Sequence, residues 1–253
     1  MSDLKKEILQ SKILTIDIGG STIKATVLDQ DGKLVQDYKK LQTPDRPTPE
    51  KVLETIQKLV RDFQNYDLIS VGFPGYIKKG IVLTAPNLGN EAWKNINLNK
   101  LISDALQKPV RTVNDADLQG LGVVRGAGLE MVITLGTGFG TALLQDGNLL
   151  PHLELAHHAI TKHYTYDDYV GDKALESKGQ EKWNQRVKKV LIMLQTVFNY
   201  DRLYIGGGNS NKLTFKLDEN IIIITNKDGI KGGARLWQLD EKLFIKSSTT
   251  PSQ

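Results

Sequence analysis

The chain has 253 residues, 40% hydrophobic and 25% charged, enough for one large or two modest domains with a real core. No apolar run approaches the roughly 18 residues of a membrane span. The absence of cysteine excludes disulfides, thiolate zinc sites and cysteine nucleophiles. The net charge of +4 arises from scattered basic residues, with no run resembling a nucleic-acid tail. It suits an ordinary soluble protein and is compatible with an anionic partner.

The segment Met1-Ser2-Asp3-Leu4-Lys5-Lys6-Glu7 lacks the apolar core of a secretory leader. The expectation is a cytoplasmic protein with no membrane or nucleic-acid partner. Ile13 to Ile18, Ile23 to Leu28 and Leu34 to Tyr38 read as a meander of three strands, with Gly19-Gly20 and Asp31-Gly32 as turns. Thr48-Pro49-Glu50-Lys51 places an N-cap before a proline and predicts a helix to about Phe63. Its apolar face is Val52, Leu53, Ile56, Leu59, Val60 and Phe63. Leu68 to Phe73 is a buried strand, and Tyr76 to Thr84 a hairpin turning near Lys79-Gly80. Asn97 to Leu106 is a helix, Val110 to Val113 a strand, and Ala116 to Gly122 opens another helix.

A second, similar series starts at Met131. Met131 to Leu135, Thr141 to Gln145 and Leu149-Leu150 form a meander with Asp146-Gly147 as its turn. The helix Gln180 to Phe198, the strand Arg202 to Ile205, the strand Ile221 to Thr225 and a closing helix from Gly232 to Leu243 follow. The order of elements thus repeats, which predicts a duplicated α/β protein. The expected domains are 1–117, joined by a C-terminal helix at about 232–245, and 118–231. The glycine loops would line the cleft between the halves.

Three glycine loops fall at strand ends: Asp17-Ile18-Gly19-Gly20-Ser21-Thr22, Leu135-Gly136-Thr137-Gly138-Phe139-Gly140-Thr141, and Gly206-Gly207-Gly208. Glycine lets backbone N–H groups approach an anion and supplies positive φ in tight turns. No Walker motif is present, and the first two loops join strand to strand, unlike a dinucleotide-binding turn. Each loop alone is also what a plain turn looks like; their shared placement points to phosphate. Asp17 reads either as a turn cap or as a carboxylate near a phosphate-bound Mg²⁺. Asn114-Asp115 reads either as a helix N-cap or as a substrate anchor beside a general base. His152, His157, His158 and His163 do not match a metal-ligand spacing, and single substrate contacts or surface positions are expected for them.

These residues, in this order, resemble the ROK family (repressor, open reading frame, kinase) of sugar kinases and related proteins. The family belongs to the actin/hexokinase ATPase fold, a two-domain, ribonuclease H-like duplication with an interdomain cleft. Within it the chain is most similar to the polyphosphate-dependent glucokinases. The resemblance runs from about Ile13 to Ala234. It rests on Ile16 to Ser21 with Ile23-Lys24, Thr43-Pro44 with Thr48-Pro49-Glu50, and Gly72-Phe73-Pro74-Gly75. It continues through Thr84 to Leu88, Val113 to Asp117, Leu135 to Thr141, Asp146-Gly147, Pro151, Glu154, His157 and Gly206 to Gly208 with Ser210.

The resemblance implies a phosphoryl transfer from polyphosphate, ATP or both to the 6-hydroxyl of glucose. Asp115 would be the base, and Asn87, Asn114, Glu154 and His157 would bind the sugar. Gly19, Gly20, Ser21, Thr22, Lys24, Gly136, Thr137 and Gly138 would hold the transferred phosphate and its neighbours. Gly206, Gly207 and Gly208 would form the adenosine-side loop, and Asp17 would sit near Mg²⁺ without binding it directly. The zinc-binding cysteines of many relatives are absent. Glu-x-Gly-His reads Glu154-Leu155-Ala156-His157, which adds a methyl beside the sugar. No helix-turn-helix precedes Ile13, which argues against the repressor branch. Rival readings are a strictly ATP-dependent glucokinase, a kinase for another hexose, and a non-catalytic sugar or phosphate sensor. A homodimer would be in keeping with the family.

Overall fold

The computed structural model describes residues 11–240 and Phe244. The chain divides into two compact units. One runs to Val113 and is resumed at Gly233; the other is Asn114–Gly232.

In the first unit, β1 (Ile13–Ile18) and β2 (Thr22–Leu28) form an antiparallel hairpin that sets Asp17 opposite Lys24. The third strand is displaced from the expected Leu34 to Tyr38. Leu34 makes an isolated bridge to Leu28, and the backbone N–H groups of Val35 and Gln36 both donate to the Val27 carbonyl. The Thr26 hydroxyl donates to the Gln36 carbonyl at 2.8 Å, so this stretch crosses the sheet edge irregularly. Pairing resumes in β3 (Lys39–Gln42), whose lysines suit an exposed edge.

Helix α1 (Pro49–Val60) starts as its sequence dictates. The Thr48 side chain accepts from the Lys51 N–H, Pro49 occupies the first turn, and Val52, Ile56, Leu59 and Val60 are buried. Every residue of β4 (Leu68–Phe73) is buried, and the strand lies parallel to β1. A hairpin of β5 (Ile77–Lys78) and β6 (Ile81–Val82) turns at Lys79 and Gly80, both left-handed. The short α2 (Asn90–Trp93) has no counterpart in the sequence reading. It buries Trp93 against Phe73, with ring centroids 4.9 Å apart. Helix α3 (Leu98–Leu106), capped by Asn97, leads to β7 (Val110–Asn114). The sheet order is β3-β2-β1-β4-β7.

The second unit repeats the plan. It comprises α4 (Asp115–Val123), β8 (Leu129–Leu135), β9 (Phe139–Gln145), β10 (Asn148–Leu149), α5 (Tyr166–Val170), α6 (Asp172–Lys178) and α7 (Gln180–Phe198). β11 (Arg202–Gly206), β12 (Ile221–Ile223) and α8 (Asn226–Gly229) complete it. Its sheet order is β10-β9-β8-β11-β12. In both sheets the first strand pairs antiparallel with the second and parallel with the fourth. Glu130 is buried at the start of β8. It accepts the backbone N–H groups of Arg125, Gly126 and Ala127 at 2.7–3.3 Å and the Tyr204 hydroxyl at 2.7 Å.

The closing helix is shorter than expected. α9 is Gly232–Leu236, and residues 241–243 and 245 of the predicted helix lie outside the described residues. The Arg111 guanidinium accounts for the stop. It donates to the carbonyls of Leu236 and Leu239 at 3.0 and 3.3 Å and lies over the rings of Trp237 and Phe244. Ser70 fixes the same segment by donating to the Gly233 carbonyl at 2.6 Å and accepting from the Trp237 indole at 3.0 Å. Ala234 and Trp237 thereby cover Ile13, Leu28 and Leu68. No helix among the described residues is long and apolar enough to cross a membrane.

Candidate active site

Asn114 and Asp115 sit where β7 gives way to α4. The Asn114 side chain accepts the Ala116 N–H at 2.8 Å, and Asp115 accepts the same N–H at 2.9 Å. The two carboxylates of the first turn, Asp115 and Asp117, lie at the end of the helix that favours negative charge. α4 is buried on almost every side and packs on β8 and β9, so its N-terminus has a fixed position in the unit. A Cβ added at Gly140 would meet Thr134 Oγ1 at 2.5 Å and the Ala116 Cβ at 3.3 Å, which shows how closely the start of β9, just after the β8–β9 turn, approaches the Asp115 helix.

That turn is the second glycine loop, and it is held from two sides. The Phe139 N–H donates to Asp167 Oδ1 at 2.6 Å, and the Asp172 N–H donates to the Gly136 carbonyl at 3.0 Å. Burial pushes the Asp167 carboxyl above the usual range, against the pull of the Phe139 N–H. Asp172 in turn accepts the Asn209 side-chain amide at 2.5 Å, and the Asn209 N–H donates to the Leu135 carbonyl at 2.9 Å. The second and third glycine loops therefore form one assembly within this unit. Gly207 alone among the loop glycines has positive φ, at 86°, and a Cβ there would collide with the Leu135 carbonyl oxygen. A Cβ on Gly208 would meet nothing within 4 Å, and one on Gly136 only the Gly208 nitrogen at 3.9 Å. These two glycines leave open space above the backbone rather than relieving strain.

Glu154 precedes a 3-10 turn, Leu155–His157. Ala156 stands in that turn without left-handed φ, so the alanine for glycine adds a methyl and no backbone strain. Glu154 lies 3.5 Å from His157 Nε2 through one oxygen and 3.2 Å from His152 Nε2 through the other. His152 Nδ1 lies 3.0 Å from Asp117 Oδ2. The His152 and Asp117 side chains are only 9% and 8% exposed. Burial alone would lower the His152 pKa, but the adjacent carboxylates of Asp117 and Glu154 outweigh it and raise it to about 10. Burial drives the Asp117 carboxyl upward while the His152 ring beside it pulls the other way. The His152 ring lies between two carboxylates, so the imidazolium is the charge that the geometry favours. His152 is thus neither a surface position nor a lone substrate contact, correcting the sequence expectation. Asp117 has no expected role in the sequence, because its partner His152 is distant along the chain.

The remaining predicted residues lie in the first unit. The Gly19 N–H donates to the Thr22 carbonyl at 2.9 Å, closing the first glycine loop, and Thr43 fixes it by donating to the Gly19 carbonyl at 2.7 Å. The Asp17–Lys24 register becomes an ion pair of 2.8 Å between side chains that are 6% and 13% exposed. Asn87 is exposed, beyond the β5–β6 hairpin. Its neighbour Ala85 is fixed by donation to Asn90 Oδ1 at 2.6 Å. Among the described residues no group of three or more His, Asp or Glu side chains is arranged to hold a metal ion.

Residues 13–157 match the sequence profile of the ROK family. The chain belongs to the ROK family. It is 34% identical over 212 residues to a polyphosphate glucokinase of Mycobacterium leprae, covering 78% of this chain and 63% of that protein. It is also 34% identical over 216 residues to a polyphosphate glucokinase of Mycobacterium tuberculosis, covering 78% and 77%. The crystal structure of an inorganic polyphosphate/ATP-glucomannokinase from Arthrobacter sp. strain KM superposes with a TM-score of 0.82 at 29% identity. That match covers 90% of this chain and 99% of the other. The fold of this ROK protein is the two-domain actin-like ATPase fold, which accounts for the two sheets of equal strand order.

Proposed function

We propose that this chain is a phosphotransferase that moves a phosphoryl group from inorganic polyphosphate, ATP or both to the 6-hydroxyl of glucose. The carrying observation is the placement of Asp115 at a rigid helix start beside the β8–β9 glycine loop, itself joined to Gly207-Gly208. The relatives named polyphosphate glucokinase support the same reading.

Phosphoryl transfer asks a protein for positioning, charge stabilisation and a base for the acceptor hydroxyl. In this reading Asp115 takes the proton of the 6-hydroxyl. Asn114, whose side-chain oxygen caps the helix, binds the sugar in this reading. Glu154, His157 and Asn87 hold further hydroxyls. Gly136, Thr137 and Gly138, with Gly19, Gly20, Ser21, Thr22 and Lys24, attend the transferred phosphate. Gly206 to Gly208 receive the rest of the donor. The two compact units are proposed as the two domains of the catalytic fold.

Asp17 offers one carboxylate already paired with Lys24, which fits a magnesium ion held mainly by water and donor phosphate oxygens. Bound there, the ion would neutralise charge developing on the transferred group. Turnover with glucose is measured separately with ATP and with long-chain polyphosphate. Activity with both or with polyphosphate alone supports the donor assignment. Full activity with ATP and none with polyphosphate overturns it. Absence of turnover with either donor, alongside glucose-dependent stabilisation, would leave a non-catalytic sugar-binding protein instead.

A further inference from the structure

Buried charge is expensive, and a buried ion pair is weak evidence for stability by itself. The Asp117–His152–Glu154 chain therefore invites another explanation. Its first member stands two residues after Asp115 in the opening turn of α4, and its last is the carboxylate assigned above to the sugar. Asp117 Oδ1 is buried without a hydrogen-bond partner, while Oδ2 lies 3.0 Å from His152 Nδ1. Glu154 has one oxygen on His152 and the other near His157. An ionised carboxylate has about four lone-pair positions, so it can be gripped by two imidazoles and still accept a sugar hydroxyl.

We propose that His152 is a positioning residue that fixes the Glu154 carboxylate for the sugar, anchored by Asp117 on the helix that carries Asp115. The inference rests on the reading of Glu154 as a sugar ligand. Its physical content is that a carboxylate on an irregular loop has several rotamers. One imidazole wedged between it and a buried helix carboxylate leaves few. The same tie fixes the loop 151–157 to the base-bearing helix, so sugar and base share one frame.

The test measures glucose KM, donor KM and kcat for wild type, Glu154→Gln, His152→Asn, Asp117→Asn and the double variant His152→Asn/Glu154→Gln. Asn at 152 is too short to bridge both carboxylates, and Asn at 117 is isosteric, which protects folding. Glucose turnover by wild type and a raised glucose KM in Glu154→Gln establish the underlying reading. On that basis His152→Asn and Asp117→Asn each raise glucose KM about tenfold, by a larger factor than they lower kcat, with donor KM little changed. In the double variant the second substitution adds little, because His152 acts through Glu154. If Glu154→Gln raises glucose KM while the other two single variants leave it at the wild-type value, the positioning role is wrong and the sugar assignment survives. Loss of stability without a change in glucose KM marks the pair as structural and has the same effect. An unchanged KM in Glu154→Gln removes the sugar assignment, and the positioning role falls with it.

Discussion

His152 Nδ1 and Asp117 Oδ2 lie 3.0 Å apart and join the loop before Glu154 to the first turn of α4. This contact has a consequence for stability as well as for geometry. The folded pKa of His152 is raised to about 10, from 6.5 when unfolded. A raised histidine contributes stability fully below pH 6.5 and loses it as pH rises toward 10. The unfolding midpoint of the wild type should therefore fall across that window, and that of His152→Asn should fall much less. Tyr200 and Tyr204, pushed up to about 12 chiefly by burial, act above it. Thermal melts in a series of buffers from pH 6 to pH 10 decide the matter; parallel curves would refute the shift.

Glu130 sets the acid side. Burial opposes its ionisation, but the Tyr204 hydroxyl and three backbone N–H groups hold its carboxyl below the usual range. A lowered carboxyl contributes stability above its unfolded value of 4.5 and loses it as pH falls. Glu130→Gln should cost about 2 kcal/mol at neutral pH, the scale of lost charged hydrogen bonds. Urea unfolding at pH 7 and pH 4 should show the difference from wild type shrinking at the lower pH.

Gly207 and Gly208 separate conformational from spatial need. Gly207→Ala places a Cβ at positive φ against the Leu135 carbonyl and should destabilise by about 1–3 kcal/mol. Gly208→Ala meets no atom within 4 Å and should change stability by less than about 0.5 kcal/mol. Its methyl would still intrude on the proposed donor path, so donor KM should rise. Chemical denaturation paired with donor titration checks both halves.

Asp115→Asn tests the base. The amide keeps the size and the cap to Ala116 but cannot take a proton, so kcat should fall by a factor on the order of 10² or more. Glucose affinity, read by calorimetry, should move far less. An unaltered kcat would exclude Asp115 from the chemistry.

Local signals made much of this legible. Thr48-Pro49 gave the start of α1, paired left-handed residues at Lys79-Gly80 and Asp146-Gly147 gave two hairpin turns, and the apolar spacing of Gln180 to Phe198 gave α7. What escaped depended on partners far along the chain. β3 was misplaced because its ladder with β2 is carried by backbone groups of a polar segment with no alternation to read. α9 stops early because Arg111, contributed by β7, claims its last carbonyls. In the candidate site, Asn114-Asp115 was visible as a helix start, whereas Asp117–His152 and the Asp172–Asn209 brace arise only when separate segments meet.

The grip of Ser70 and Arg111 on the segment from Gly233 onward bears on how the protein is made. During synthesis on the ribosome the strands carrying Ile13, Leu28 and Leu68 emerge first. Their cover, Ala234 and Trp237, emerges only after the whole second unit. The unit whose strands are translated first is thus completed last, and its Ile13, Leu28 and Leu68 side chains wait for their cover until the second unit has been made.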